Sequence, residues 1–270
     1  MQKSMTILHG LRYNLCGKVF FKMKLTIPIA QPPWTALGKK MESAFRKALY
    51  EYGMLKGVDK VAIALSGGKD SLTLLYLLHA INGKGFDPVE IIAVHVDGEF
   101  SCGAGVDGNY LRAICERMGV RLIVRKSKRT LENLECYSCS RERRKLIFES
   151  AKEEGCTTIA FGHHRDDMIQ TLLLNLLHKG EFAANLAKLP MKDFGITIIR
   201  PLTYITEDEI RSFAHKYGFQ RITCQCPVGQ DSKRKRVEKL LAEMEREFPN
   251  ARSNLAWAAK VYGSEKAKRS

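Results

Sequence analysis

The sequence predicts an α/β protein built on a doubly wound parallel sheet, followed by a basic helical C-terminal region. Three observations lead to this fold class. Short apolar runs rich in β-branched residues are bounded by turn residues, which is typical of buried strands. Between them lie segments whose apolar residues recur every three or four positions, as on one face of a helix. The two kinds of segment alternate along the chain, and such alternation implies a parallel sheet with helices on its faces.

The first predicted elements follow a lead-in of 35 residues that shows no sustained period and ends in QPPW. An amphipathic helix begins at Thr35, because Leu37, Met41 and Phe45 start a series of apolar residues with helical spacing. VAIAL at 61–65 is then a short apolar run that ends at Ser-Gly-Gly, as expected for a buried strand. A helical pattern follows from about Asp70 to Ala80.

The alternation continues to residue 216. The runs with the composition of strands are VEIIAVHV (89–96), VRLIV (120–124), TTIAFG (157–162) and ITIIRPL (196–202). The helical patterns cover 107–118, a segment from Ser140, 166–178 and 206–216. From Thr223 the chain is helical and strongly basic. We therefore expect an N-terminal arm (1–35), an α/β domain (36–222) and a basic helical C-terminal region (223–270) that carries the late cysteines.

The chain carries a net charge of +15, from 44 Lys and Arg residues against 29 Asp and Glu residues. Such an excess favours a polyanionic partner, although a generic basic surface is the alternative. Charge alone does not separate RNA from DNA or from an acidic membrane. No apolar run approaches the roughly 18 residues needed to span a bilayer, and the N-terminus lacks the apolar core of a signal peptide. We therefore expect a cytoplasmic protein without membrane association.

The segment SGGKDS, at 66–71, has the residue types of a phosphate-binding loop. Gly67 and Gly68 let backbone N–H groups approach an anion, and the following helix points its positive dipole end at the same place. Lys69 adds a full charge, and Ser66 and Ser71 add hydroxyl donors. The pattern is neither a Walker A loop nor a dinucleotide fingerprint, and an ordinary Gly-rich turn is the alternative. We predict that SGGKDS, including Asp70, binds a nucleotide, with Lys69 and Asp70 as catalytic candidates.

SGGKDS resembles the PP-loop of the ATP-pyrophosphatase superfamily, whose members cleave ATP between its α- and β-phosphates. The resemblance implies that the loop grips the β- and γ-phosphates. It also implies that the products are an adenylate and pyrophosphate.

Two later loops at strand ends also fit a nucleotide. Asp97 ends AVHVD, where a carboxylate can accept a hydrogen bond from adenine or ribose. GHHRDD, at 162–167, ends another strand and opens a helix. Its histidines and aspartates allow a divalent-metal site as one interpretation. We favour a lining of the nucleotide cleft that includes Gly162. Asp166 and Asp167 are further catalytic candidates, with one or the other near Mg²⁺ or the acceptor base, and we expect Asp166 to help cap the helix.

Two cysteine pairs, Cys136 with Cys139 and Cys224 with Cys226, stand out among the eight cysteines. A zinc ribbon would need a second Cys-x-x-Cys, whereas the later pair is Cys-x-Cys. A thioredoxin-like pair would occupy the first strand–helix turn, where the phosphate loop already lies. Three or four cysteines from two distant loops suit an iron–sulfur cluster.

CSRERRKLIFESAKEEGCTTIAFGHHRDDMIQTLLLNLLHKGEF, at 139–182, resembles the tRNA 2-thiocytidine synthetase family. That family combines SGGKDS, a C-x-x-C-S-R-x-R-R segment, GHHRDD-x-x-Q-T, an I-R-P-L strand and a late cysteine, and the resemblance covers roughly residues 40 to 250. It implies that ATP with Mg²⁺ adenylates the C2 oxygen of cytidine 32 in tRNA and that sulfur then displaces AMP. It also implies a 4Fe–4S cluster held by three cysteines, a cysteine desulfurase as sulfur donor, and a homodimer.

The resemblance assigns the first two cluster ligands to Cys136 and Cys139. For the third, the common family form is Cys-x-x-Cys, whereas this chain has Cys224-Gln-Cys226-Pro227. Aligned without gaps, the second family cysteine falls on Pro227. We predict Cys226 as the third ligand, with Cys224 as the reserve.

Basic residues follow the first cysteine pair in a helix whose N-cap we expect at Ser140. Cations in a first turn oppose the helix dipole, each at a cost of roughly 0.3–1 kcal/mol, so an anion such as tRNA phosphate would explain them. A solvated charged face is the alternative. A second basic cluster starts the next basic helix. The predicted tRNA contacts are Arg141, Arg143, Arg144, Lys233, Arg234, Lys235 and Arg236.

Other functions remain open at this point. A PP-loop thiolase acting on a tRNA uridine fits the cysteines equally well, whereas an amidating relative without a cluster does not. A nucleotide-gated RNA-binding protein without catalysis is the alternative from another class. An intact SGGKDS argues against it, because binding alone does not need a loop suited to pyrophosphate departure.

Overall fold

The computed structural model describes residues 27–98, 108–128, 136–220 and 233–262. The strands are β1 (Lys60–Ala64), β2 (Glu90–Asp97), β3 (Arg121–Lys126), β4 (Thr158–Ala160), β5 (Lys188–Met191) and β6 (Ile196–Ile199). The helices are α1 (Ala36–Glu51), α2 (Lys69–Ile81), α3 (Gly108–Arg117), α4 (Cys136–Glu153), α5 (Arg165–Lys179), α6 (Glu207–Lys216), α7 (Lys233–Glu247) and α8 (Ala251–Tyr262).

The strands form one six-stranded sheet in the order β3-β2-β1-β4-β6-β5. Every neighbouring pair is parallel except β5 with β6, which is antiparallel. β1 shows how the sheet is covered on both faces: Val61 and Ile63 pack with α1, α2 and α6, whereas Ala62 packs with Ile147 and Phe148 of α4. The predicted doubly wound α/β fold is therefore confirmed.

Strand β5 was not among the sequence predictions. Its sequence, KLPM, has neither a β-branched residue nor a clear alternation, and it contains Pro190. Proline is tolerated in a sheet mainly on edge strands, and β5 is an edge strand that pairs only with β6 among the described strands. A short 3₁₀ turn, Lys192–Phe194, joins the two strands and ends at Gly195, whose φ of 59° lies in the left-handed region.

Helix α1 begins as predicted, because the hydroxyl of Thr35 accepts a hydrogen bond from the N–H of Gly38 at 3.3 Å. The residues just before it, at the end of the predicted N-terminal arm, pack against the domain. Ala30 and Trp34 are buried, and the hydroxyl of Tyr76 in α2 donates to the carbonyl of Pro28 at 2.6 Å. These residues are part of the core of the fold.

Helix α4 begins at Cys136, four residues before the N-cap that we expected at Ser140. None of these residues is Gly or Pro, so the helix extends back without a break. Arg141, Arg143 and Arg144 therefore lie in its second and third turns, where the helix dipole acts weakly. The expectation that they sit in the first turn, against the dipole, is wrong.

The C-terminal helices α7 and α8 pack against α5. Val237 and Leu241 of α7 form a small apolar cluster with Ile169 and Leu173 of α5. The helical prediction for this region is confirmed over 233–262. No helix in the described part of the chain is both long and apolar enough to cross a bilayer.

Candidate active site

The loop between β1 and α2 is held by hydrogen bonds among its own residues. The hydroxyl of Ser71 accepts from the N–H of Gly67 at 3.1 Å and donates to the carbonyl of Gly68 at 3.0 Å. The hydroxyl of Ser66 accepts from the N–H of Gly68 at 3.3 Å. Gly67 has a φ of 82°, a conformation that favours glycine. In this state the two serines shape the loop, in addition to the donor role that the sequence predicts for them.

Lys69, the first residue of α2, lies between two carboxylates. Its Nζ is 3.0 Å from Asp70 Oδ1 and 3.1 Å from Glu207 Oε1 at the start of α6. Burial alone would lower the pKa of Lys69, but the two carboxylates outweigh it and hold the pKa above its ordinary value. The ammonium group is therefore fully charged at neutral pH and positioned at the loop.

The loop after β4 touches the phosphate loop directly. A Cβ on Gly162 would lie 3.0 Å from the backbone C of Asp70 and 3.0 Å from the backbone N of Ser71. Only a residue without a side chain allows this approach without a shift in the backbone. The glycine predicted to line the nucleotide cleft therefore also sets the distance between the two loops.

His163 and Arg200 form a buried pair beside Gly162. Arg200 Nε donates to His163 Nδ1 at 3.3 Å, and its Nη1 donates to the carbonyl of Leu186. Burial and the neighbouring guanidinium lower the pKa of His163 to about 4, so its ring is neutral at physiological pH. Burial lowers the pKa of Arg200 to about 10, which leaves it charged there.

His164 is buried among three carboxylates. Its Nε2 is 3.4 Å from Asp167 Oδ2 and 3.8 Å from Asp70 Oδ1, and its Nδ1 is 3.8 Å from Asp166 Oδ2. The ring therefore connects the phosphate loop with the start of α5.

The adjacent aspartates of α5 have different surroundings. Asp166 Oδ2 accepts from the N–H of Glu207 at 2.8 Å, and its Oδ1 is 3.1 Å from Arg252 Nη1 of α8. Asp167 Oδ2 accepts from the N–H of His164, the N-cap residue of α5, at 3.1 Å. The carboxylate that caps α5 is therefore Asp167, and our expectation that Asp166 helps to cap it is wrong.

Asp167 also faces a cavity. Its Oδ1 pairs with Arg234 Nη1 at 3.0 Å. Burial alone would raise the pKa of Asp167, but His164 and Arg234 outweigh it, and the pKa lies below its ordinary value. The carboxylate is thus ionised at neutral pH and faces the space beside the phosphate loop.

The cavity beside the phosphate loop measures about 300 Å³. The residues that line it and that the sequence predicted as site residues are Ser66, Asp70, Ser71, Arg143, Arg144, Gly162, Asp167 and Arg234. The phosphate loop, the GHHRDD loop and both basic clusters thus contribute to one space. Apart from the cysteines, the predicted site residues that are not among the described lining residues are Gly67, Gly68, Lys69, Asp97, Asp166, Arg141, Lys233, Lys235 and Arg236. Asp97 and the last four are exposed.

The first cysteine pair lies at the start of helix α4. Cys139 is buried and directly precedes Ser140, which lines the cavity with Arg143. Cys136 is the first residue of α4, and positions three apart share one face of a helix. Cys224 and Cys226 lie outside the described residues. Within the described part of the chain, no group of three or more His, Cys, Asp or Glu side chains is arranged to hold a metal ion.

Sequence reasoning missed three charged residues of the site. Glu207 contacts Lys69, Arg252 contacts Asp166, and Arg200 contacts His163. Arg200 carried a signal, since it belongs to the I-R-P-L run. Glu207 follows Thr206, whose capping box with Glu209 marks the start of α6, but no pattern shows that it reaches Lys69.

Comparison with known proteins agrees with this arrangement. A family model described as "PP-loop domain" matches residues 37–243. The tRNA-cytidine(32) 2-sulfurtransferase of Anaeromyxobacter dehalogenans is 35% identical over 230 residues, which cover 82% of this chain and 79% of that protein. The protein of the same name from Geobacter sulfurreducens is 34% identical over 225 residues, with 80% and 87% covered.

A solved structure also superposes on the chain. The U34-tRNA thiolase NcsA from Methanococcus maripaludis, determined with its 4Fe–4S cluster, has a TM-score of 0.67 at 26% identity, with 83% of this chain and 78% of that chain covered. The resemblance inferred from the motifs is therefore confirmed at the level of the family. The chain belongs to the PP-loop family, within the group of the tRNA-cytidine(32) 2-sulfurtransferases.

Proposed function

We propose that the chain is an ATP-dependent tRNA sulfurtransferase that converts cytidine 32 to 2-thiocytidine. One observation carries the proposal: the phosphate loop, the ionised Asp167 and arginines of two basic helices line one cavity, and one of these helices begins at Cys136. The relatives named tRNA-cytidine(32) 2-sulfurtransferase support the same substrate and the same reaction.

The residues of the phosphate loop fit the triphosphate of ATP. Gly67 and Gly68 offer N–H groups at the start of α2, and Lys69 holds a positive charge beside them. The present partners of these groups are the Ser66 and Ser71 hydroxyls and two carboxylates, which phosphate oxygens would replace. Mg²⁺ would be held by Asp70 and Asp167, the two carboxylates that line the cavity among the described residues. We also assign nucleotide contacts to Asp97, at the end of β2, and to Gly162.

In the first step, the C2 oxygen of the cytosine attacks the α-phosphorus of ATP, and pyrophosphate leaves. Lys69 stabilises the negative charge that develops on the phosphates. The neutral ring of His163 adds no charge to the cavity, and its bond to Arg200 fixes its orientation. The catalytic role predicted for Asp166 would be exerted through Glu207 and His164, since Asp166 does not line the cavity.

In the second step, sulfide attacks C2, and AMP leaves with the former C2 oxygen. A 4Fe–4S cluster, which the proposed three cysteines would hold, would supply iron to bind the incoming sulfide. The donor set suits such a cluster, since Cys136 and Cys139 stand one helical turn apart and Cys139 is buried. We propose Cys226 as the third ligand, with Cys224 as the reserve. The presence of a 4Fe–4S cluster in the thiolase NcsA supports a cluster of this type in the present chain, whichever of the two cysteines is the third ligand.

The basic helices would bind the tRNA. Arg143, Arg144 and Arg234 line the cavity, so they would contact phosphates close to the reacting cytidine. Arg141, Lys233, Lys235 and Arg236 are exposed and would contact phosphates farther along the strand. We further propose a cysteine desulfurase as sulfur donor, a homodimer, a cytoplasmic location, and a boundary between the α/β domain and the basic C-terminal region at 222/223.

The proposal is tested with full-length protein purified without oxygen. ATP, Mg²⁺, sulfide and a transcript of a tRNA that carries cytidine 32 are added, and nucleosides are analysed by mass spectrometry. We expect 2-thiocytidine at position 32. Lys69→Ala should lower the rate by at least about 100-fold, because it removes the charge at the phosphates, while the iron content stays unchanged. Lys216→Ala, which removes an exposed charge at the end of α6, should retain the wild-type rate.

Three results would change the assignment. Formation of 2-thiouridine instead of 2-thiocytidine would indicate the uridine-specific reaction, which the name of the structural neighbour makes the second candidate. RNA binding without any thionucleoside would indicate a binding protein. Thiolation by an iron-free preparation would remove the cluster from the mechanism.

A further inference from the structure

A second cavity, of about 430 Å³, lies on the other side of the first turn of α5. Arg165 and Met168 line it, whereas Asp167 lines the cavity beside the phosphate loop. Because successive residues of a helix are rotated by about 100°, Arg165 and Met168 share a side from which Asp167 points away. The remaining walls come from α1, α8 and the segments next to β5 and β6. No step of the proposed reaction uses this space.

The aromatic residues Tyr52, Tyr204 and Trp257 line the second cavity. Tyr204 has cations on its faces: Lys47 Nζ and Lys260 Nζ are each 5.2 Å from its ring centroid. Trp257 lies beside them on α8 and is 64% exposed, and Lys260 Nζ is 5.7 Å from its ring. An exposed aromatic ring beside cations, as at Trp257, is a combination on which unpaired bases stack in RNA-binding proteins.

The charge of the second cavity is positive. Its charged lining residues are Lys47, Arg165 and Lys260, and no Asp or Glu is among the described residues that line it. Glu51 pairs with Lys260 at 2.6 Å from outside the lining. The Nε of Arg165 is buried and has no hydrogen-bond partner within the described part of the chain. The cavity therefore offers both a surface for a base and positive charge for a phosphate.

The two cavities share a wall. The guanidinium of Arg200 donates through Nε to His163, which lines the cavity beside the phosphate loop, and through Nη1 to the carbonyl of Leu186, which lines the second cavity. With only this wall and one helical turn between them, both spaces are within reach of a single RNA strand. The volume of the second cavity also lies in the range that is typical of small-ligand sites.

We propose that the second cavity binds an unstacked nucleotide of the RNA substrate that neighbours the modified one. Its base stacks against the exposed ring of Trp257, and its phosphate lies beside Lys47, Lys260 and Arg165. The identity of the RNA rests on the proposed function, whereas the site itself rests on the rings and cations of the cavity. Two subsites on one strand would hold the reacting nucleotide in place at the phosphate loop.

The first measurement is the affinity of the full-length protein for a transcript of a tRNA that carries cytidine 32, without ATP. Trp257→Ala should weaken binding by about tenfold, the typical cost of losing one base–aromatic stack. Phe248→Ala is the matched control, since Phe248 is 69% exposed at the end of α7 and does not line the cavity. It should bind the transcript as tightly as the wild type.

The second measurement is tryptophan fluorescence, because the chain has two tryptophans and Trp34 is buried. Stacking of a base on Trp257 should quench the wild-type emission when the transcript is added, and Trp257→Ala should lose this quenching. Equal affinities for wild type and Trp257→Ala, or no quenching in the wild type, would overturn the proposal. Trp257→Ala could also lose affinity while the wild type forms no thionucleoside. That outcome would support the subsite and contradict the proposed reaction.

Discussion

The two loops that meet at the phosphate site are built in different ways. Both follow neighbouring parallel strands, β1 and β4, and both open a helix. The loop at 66–71 is held by Ser66 and Ser71, which bond to Gly67 and Gly68 inside the same six residues. The loop at 162–167 has a hydrogen bond of its own, from the N–H of His164 to Asp167. It is otherwise held mainly by three residues far away along the chain, namely Arg200, Arg234 and Arg252.

The first loop is therefore shaped mainly by its own residues, although Glu207 also holds Lys69, whereas the second loop depends mainly on residues from other parts of the fold. Two of the three distant arginines, Arg234 and Arg252, belong to the basic C-terminal region. They pair with Asp167 and Asp166, so α7 and α8 complete the loop after β4 as well as adding positive charge. Changes in the C-terminal region should therefore disturb one loop and leave the other intact.

Removal of Arg252 should give the largest difference in behaviour between the two loops. Its guanidinium pairs with the buried Asp166 and also with Glu238 at 2.5 Å and Glu245 at 2.7 Å. Arg252→Met leaves the Asp166 carboxylate buried without its cation, so we expect the free energy of unfolding to fall by about 3–5 kcal/mol. Chemical denaturation measures the loss. Hydrogen exchange should accelerate at 162–167 and stay unchanged at 66–71.

The control for this prediction is an ion pair on the surface. Arg211 and Asp208 pair at 2.7 Å with side chains that are 63% and 85% exposed. Arg211→Met should cost no more than about 1 kcal/mol, because water screens such pairs. If the two variants lost equal stability, or if exchange accelerated equally in both loops, the loop after β4 would not depend on Arg252 in the way that the contacts indicate.

The same difference explains which features of the fold and the site could be predicted from the sequence. Alternating strand and helix patterns predicted the sheet and most of its helices, because apolar periodicity is a local property. SGGKDS could be assigned to a nucleotide for the same reason, since its glycines, lysine and hydroxyls act within one turn. The segment KLPM carries no strand pattern, because β5 is defined by its pairing with β6.

The loop after β4 was predicted only in part. GHHRDD indicated a polar strand end, but adjacent aspartates look alike in a sequence. Their roles diverge because Asp166 meets Arg252, 86 residues away, and Asp167 meets Arg234, 67 residues away. Only the packing of α7 and α8 on α5 decides these partners. The same holds for Glu207, which reaches Lys69 only once α6 has docked.

A second way to test the loop after β4 uses pH. The pKa of His163 in the folded protein is about 4, below its ordinary value of 6.5. Between these values the unfolded chain binds a proton that the folded protein does not, so stability is complete above pH 6.5 and is lost as the pH falls towards 4. The loss should reach about 3 kcal/mol, since each pH unit is worth about 1.4 kcal/mol. Denaturation at pH 7.5 and pH 4 measures it.

Between pH 7.5 and pH 4, His163→Asn should lose about 3 kcal/mol less stability than the wild type. The amide of the asparagine does not titrate, and its oxygen still accepts a hydrogen bond from Arg200. His178→Asn, which removes an exposed histidine at the other end of α5, should follow the wild type. A His163→Asn variant with the same pH dependence as the wild type would show that the buried ring does not resist protonation.

The smallest expected effect concerns Gly162, the residue at which the two loops touch. In Gly162→Ala the new methyl group would meet the backbone of Asp70 and Ser71 at 3.0 Å, so one loop has to shift. We expect a loss of about 1–3 kcal/mol in the free energy of unfolding. Gly108→Ala is the control, because a Cβ there would meet nothing within 4 Å. If Gly162→Ala were as stable as Gly108→Ala, the loops would have room to separate. The shape of the loop at 66–71 would then not depend on the loop at 162–167, and their close approach at Gly162 would not contribute to stability.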